Sequence, residues 1–181
     1  MERRTEIRRI GEAALMRNVA ERLAEAGSVE EGLAGVVPLL SQYLGADHGA
    51  FVVRGDGEWT VVGRGIDGTD RRPLPRTARL VGRSAAIRPV GGDSGREDPP
   101  DSVAVPVSAG RRPLGYGVFR TGADRLPSRG TLRLLDAVGA QVGVFCESVS
   151  RGARAREERD RLARANGELA WLLRFSESIH A

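Results

Sequence analysis

Gly63-Arg64-Gly65-Ile66-Asp67-Gly68 satisfies the glycine spacing of a dinucleotide site. That chemistry needs a strand before the glycines and a helix after them, so that amides at the helix start meet the pyrophosphate. The strand is there. The helix is not, because Thr69 to Pro75 holds two prolines and two arginines. Arg88, not an acid, stands about twenty residues on, where a ribose-binding carboxylate belongs. The segment therefore reads as a glycine-rich turn. Gly92-Asp93-Ser94-Gly95 matches the nucleophile region of trypsin-like proteases, and His48 with an aspartate would complete a triad on paper. The chain is too short for the double barrel that chemistry needs, and the four residues sit in a string of Gly, Asp, Glu and Pro typical of a solvated loop. Asp93, Glu97, Asp98 and Asp101 do not have the alternate spacing and distal glutamate of an EF-hand. Cys146 is the single cysteine and lies beside Phe145 on a helix among apolar residues, where it reads as a small hydrophobe. His180, next to the last residue, lacks the helical hairpin of a kinase phosphoacceptor and reads as a helix-end residue.

Composition removes further chemistry. All 28 basic residues are arginine, so P-loop, Schiff-base and kinase lysines are excluded from this segment. With one cysteine and two histidines, neither an internal disulfide nor a four-ligand zinc site forms, and no cofactor is expected. The sequence pI is 10.4, yet the net charge is only +4. Arginine titrates above about 12, so a small excess inflates the pI. The arginines alternate with acids, and aromatics are 4% of the chain, so nucleic-acid binding does not follow. No apolar run reaches the roughly 18–20 residues of a membrane span, and the N-terminus lacks the apolar core of a secretion signal, so a cytoplasmic location is expected.

These residues must be positioned by the following elements. Glu2 to Ala26 reads as a helix ended by Gly27. Ser28-Val29-Glu30-Glu31 is a capping box opening a second helix, whose apolar face is Leu33, Val36, Val37, Leu40 and Leu44. Pro38 should bend that helix or force a local adjustment, and Gly45 should end it. Gly49 to Arg54 and Glu58 to Arg64 read as a hairpin about Gly55-Asp56-Gly57. Thr77 to Ser84 reads as a short helix, Ala85 to Val90 as a third strand and Gly91 to Pro100 as a loop. Ser102–Ser108 and Leu114–Thr121 read as two more strands. Ser128 caps a last helix starting near Arg129, with Leu132, Leu135, Val138, Val142, Phe145 and Val149 buried. Beyond Arg151, Leu162, Ala165, Leu169, Leu172, Ser176 and Ile179 recur at alternating spacings of three and four, the pattern of a short coiled-coil seam. The two stripes are out of register, so the helix should change its buried face near Gly152 or break there.

Residues Asp101 to Glu147 carry a resemblance. A strand ends in Val105-Pro106, a polar turn follows, Leu114-Gly115 opens a second strand, and a long helix closes the segment. With the turn into Gly45-Ala46-Asp47, this order resembles a GAF domain, over about Ser28 to Ser150. The resemblance implies an α+β fold: a central antiparallel sheet of five or six strands with N- and C-terminal helices packed on one face. It implies residues 1–27 as an N-terminal helix, 28–150 as the GAF-like domain and 151–181 as a helical coiled-coil linker to an output or second sensor domain. It also implies a regulatory module of a bacterial signalling protein that is not an enzyme. Such a module would form a parallel homodimer through Leu162, Leu169, Leu172 and Ile179, and relay a signal to an output such as a histidine kinase or phosphatase. An unidentified small molecule would sit on the sheet face away from the helices, roofed by Thr77 to Val90; Trp59 and Tyr116, among the few large aromatics on strands, are the candidates for its lining, and the alternative reading makes both of them core. The tail LAWLLRFSESIHA resembles the leading helix of a further domain. Bilin-binding members use a cysteine beside a histidine, whereas Cys146 is followed by Glu147. The reductase members need several cysteines, and the cyclic-nucleotide motif needs a lysine. Two other readings stand beside this one: a ligand-free structural dimerisation module, and a small enzyme with an unrecognised carboxylate site.

Overall fold

The computed structural model describes residues 2–55, 58–64, 86–88, 102–121 and 127–179. Two helices come first, α1 (Glu2–Glu25) and α2 (Val29–Leu44). Strands β1 (Ala46–Arg54), β2 (Trp59–Arg64), β3 (Ala86–Arg88), β4 (Ser102–Ala109) and β5 (Arg112–Thr121) follow, and α3 (Arg129–Ile179) closes the chain. The expected helix at 77–84 and loop at 91–100 lie outside the described residues. Contacts divide the chain into two units, Met1–Glu147 and Ser148–Ala181.

Local chemistry fixes the ends of α2. Ser28 is extended, and its Oγ accepts the Glu31 N–H at 3.1 Å. The returning carboxylate of the box goes one residue further back than expected: the Gly27 N–H donates to Glu31 Oε2 at 2.8 Å. At the other end Gly45 is left-handed, with φ 62° and ψ 37°, and its N–H meets the Gln42 and Ser41 carbonyls. Only glycine adopts that backbone without a Cβ clash. Pro38 does not interrupt α2. Its side is exposed, so the carbonyl it leaves without an intrahelical partner lies toward solvent.

Every pairing is antiparallel, and the strands are ordered β2-β1-β5-β4-β3. Alternation separates the two faces of the sheet. Phe51 and Val53 of β1, Val103, Val105 and Val107 of β4, and Phe119 of β5 join one core with Leu15, Val19 and Leu23 of α1, Leu33, Val36 and Leu40 of α2, and Leu135, Val138 and Val142 of α3. Phe51 and Phe119 meet edge to face, 5.6 Å between ring centres. With aromatics this few, these two rings are the largest fully buried side chains of that core. Leu15 of α1 is buried too.

Glycine allows α3 to lie close on β4. A Cβ at Gly139 would strike the Pro106 carbonyl oxygen, and one at Gly143 the Ser108 carbonyl oxygen. A Cβ at Gly32 of α2 would overlap the Phe145 ring of α3 and reach Leu23 of α1, so three helices meet there. Ser128 caps α3 by accepting the Thr131 N–H at 3.2 Å.

One expectation is narrowed and one is corrected. Of the two outcomes expected near Gly152, the break does not occur: α3 is continuous from Arg129 to Ile179. Glycine costs only about 1 kcal/mol in a helix interior, and the Arg, Ala and Glu around it are strong helix formers. β1 begins at Ala46, three residues early, because the irregularity between Ala46 and His48 hides the alternation there.

Candidate functional site

The sheet face away from the helices is built by the other residue set. Pairing aligns Val61, Val52, Tyr116 and Pro106 across four strands, then Gly63, Ala50, Val118 and Ala104 in the next row. Tyr116 sits near the centre and is wholly buried. Burial pushes its phenol up to about 12, so it stays a neutral hydroxyl at physiological pH. Tyr116 also makes an interaction within the chain.

Trp59 shares this face, yet sits apart from Tyr116. It opens the edge strand β2, opposite Arg54, and is 43% exposed. β1 lies between the two aromatics, and they are one row out of step. The sequence placed both on strands; it did not show that one is central and the other at the rim. The expected roof, Thr77 to Val90, lies outside the described residues except for β3.

A further row closes this face at one end. His48 pairs with Arg120, Arg120 with Ser102, and Ser102 with Arg88. Ser102 is buried, while His48 and Arg120 are exposed. Sequence reading missed this row, because its members lie in four separate strands and only the register brings them together.

A separate open groove of about 440 Å³ lies on the helix side, between α2 and the β1–β2 edge. Pro38, Ser41, Gln42, Asp47, Val62 and Gly63 contribute to it. It contains neither Trp59 nor Tyr116. Among the described residues no group of His, Cys, Asp and Glu is arranged to hold a metal. Among them, too, no helix is long and apolar enough to cross a membrane.

Cys146 is buried on the inner side of α3. Desolvation pushes its thiol up to about 11; the Glu30 carboxylate adds to the rise and a backbone hydrogen bond opposes it. A neutral buried thiol is a poor nucleophile and a poor metal ligand. The stripe expected to mediate dimerisation lies on the later part of α3. Leu162 is 56% exposed. Leu169, Leu172 and Ile179 belong to the same helix.

No family model matches the chain, and no curated protein matches it in sequence. Solved structures do match in fold. The GAF domain of a Pseudomonas syringae pv. tomato sensor histidine kinase has a TM-score of 0.61 at 14% identity, over 88% of this chain and 99% of that one. The GAF domain of an Acinetobacter phosphoenolpyruvate-protein phosphotransferase has a TM-score of 0.59 at 12% identity, over 79% and 97%. That of the potassium sensor histidine kinase KdpD from Escherichia coli has 0.58 at 17% identity, over 79% and 98%. At such identities the likeness speaks for architecture: this chain has the GAF fold.

Proposed function

We propose that this chain is a non-catalytic sensory module that forms a parallel homodimer through the later part of α3 and relays a signal along that helix to an output module such as a histidine kinase or phosphatase. A cytoplasmic location goes with this role. Similar architectures in two sensor histidine kinases and a phosphotransferase support the regulatory part. The observation that carries the dimer is the exposure of every residue from 151 to 168 along a regular helix, Leu162 included. Leu169, Leu172 and Ile179 continue the three-four spacing begun by Leu162. A second copy would bury this stripe in a coiled-coil seam and bring two helix ends side by side. Tyr116 and Trp59 remain the proposed lining of a ligand site on the sheet face away from the helices.

Sedimentation of the full chain tests the association. A dimer at micromolar concentration is expected, shifted to monomer by Leu162→Glu with the melting of residues 28–147 unchanged. A monomer at high micromolar concentration for the unaltered chain would overturn the seam.

A further inference from the structure

We propose that the open groove between α2 and the β1–β2 edge binds a short linear diamine, with one ammonium at Asp47 and the other at the Ala34 carbonyl. This site is separate from the sheet face proposed above for a ligand, and the inference does not rest on that reading.

The first argument is an acceptor that the sequence itself creates. α2 runs unbroken through Pro38. In an α-helix each carbonyl accepts from the N–H four residues on. Pro38 has no N–H, so the Ala34 carbonyl lacks that donor. Ala34 and Pro38 are both exposed, and both line the groove. A ligand N–H therefore finds an oxygen there without displacing the helical bond that the other carbonyls make.

The second argument is charge. Asp47 is the one ionisable group among the described lining residues. It is exposed, and among the described residues it makes no ion pair. The helix adds to its field. Ser41 and Gln42 also line the groove, and the last turn of α2 contains no basic residue. The C-terminal end of a helix carries about half a negative charge, which a cation nearby offsets. A groove made negative from two sources thus lies in a chain of net charge +4.

The third argument is reach. Ser41 and Gln42 follow Ala34 by seven and eight residues, roughly 10–12 Å along the axis at about 1.5 Å per residue. Charge-assisted hydrogen bonds of about 2.7–2.9 Å at each end leave the length of a few methylenes between them. The walls suit such a stem: Val37 is buried, and Ala46 and Val62 are half-buried. The volume, about 440 Å³, falls within the roughly 300–1,000 Å³ of small-molecule sites. A bare calcium ion would need about six to eight oxygen ligands, which one carboxylate beside apolar walls does not supply.

The test follows backbone amide shifts of the full chain by nuclear magnetic resonance at fixed ionic strength, so that screening is constant. Putrescine, butylammonium, neutral butanediol and calcium chloride are titrated over the same range. Saturable shifts at Gln42, Asp47 and Val62 are expected with putrescine, weaker binding with butylammonium, and none with butanediol or calcium. Asp47→Asn should weaken putrescine by about tenfold or more, the value of one charge-assisted hydrogen bond. Asp47→Glu should retain binding, and Glu58→Gln, an equal charge change outside the groove, should leave it unchanged. Pro38→Ala returns a donor to the Ala34 carbonyl and should abolish the advantage of putrescine over butylammonium. That comparison cancels the loss of the proline ring, which both ligands feel. Absence of saturable shifts, shifts centred outside the groove, or an equal response to butanediol or calcium overturns the proposal. So does wild-type affinity in Asp47→Asn, or an unchanged putrescine advantage in Pro38→Ala.

Discussion

Burial decides what Cys146 does. Its ordinary thiol value is 9.0, and in the folded chain it rises to about 11. Between these values the unfolded chain releases the proton and the native chain keeps it. The stability this contributes is complete below about pH 9 and is lost as pH rises toward 11, by at most about 1.4 kcal/mol per pH unit. Tyr116, moving from 10.0 to about 12, extends the same loss upward. The urea midpoint should therefore fall between pH 9 and 11, and Cys146→Ala should flatten the lower part of that fall. The same thiol should react with an aromatic disulfide reagent at pH 8 only as fast as the fold opens. Reaction at the rate of a free thiol in native buffer would contradict its burial. The inertness of Cys146 was legible in the sequence, because Val142 and Phe145 at helical spacing mark the side it occupies. The rim position of Trp59 was not, since strand membership does not reveal which strand lies at the edge.

Among the elements, α3 gives the clearest contrast, because the same substitution should act with opposite sign along one helix. At Gly139 an added methyl meets the Pro106 carbonyl oxygen, so helix and strand must separate. Overpacking of this kind costs about 1–3 kcal/mol, against about 1 kcal/mol gained in helix propensity. Gly139→Ala should lower the urea midpoint, and Gly139→Ala with Gly143→Ala should lower it further. Gly152 has nothing within 4 Å of an added Cβ, so Gly152→Ala should stabilise the helix by up to about 1 kcal/mol. Loss of stability at Gly152 would show that this position makes a contact of its own. At the start of α2, Ser28→Ala removes the Glu31 N–H acceptor and should cost about 1 kcal/mol in the same measurement. These elements were legible to different degrees. β4 and β5 stood out because their apolar alternation flanks a polar turn, and α2 because both its caps are written in Ser28 and Gly45. The row of His48, Arg120, Ser102 and Arg88 left no local signal, since it exists only once four strands are in register.

Across the whole molecule, the two units differ in what holds them together. Met1–Glu147 encloses a core between sheet and helices. In the unit Ser148–Ala181, residues 151–168 are exposed throughout, and the Arg164 Nε–H donating to the Asp160 carbonyl at 3.3 Å is a bond of the helix to itself. Charge pairs at i,i+4 stabilise such a helix by only about 0.2–0.5 kcal/mol each. Nucleation is costly, and helical stability in proteins comes mostly from packing an apolar face. A lone copy of this segment should therefore be partly unfolded in water, and a seam through Leu162, Leu169, Leu172 and Ile179 would supply the missing packing. Ellipticity at 222 nm should fall on dilution through the dissociation constant of the dimer, while Cys146, buried in the first unit, should stay as protected from an aromatic disulfide reagent as before. Leu162→Glu should hold the chain at the low-ellipticity value at every concentration. If ellipticity is independent of concentration and unaffected by Leu162→Glu, α3 is stable by its own propensity, and association is not what keeps it helical.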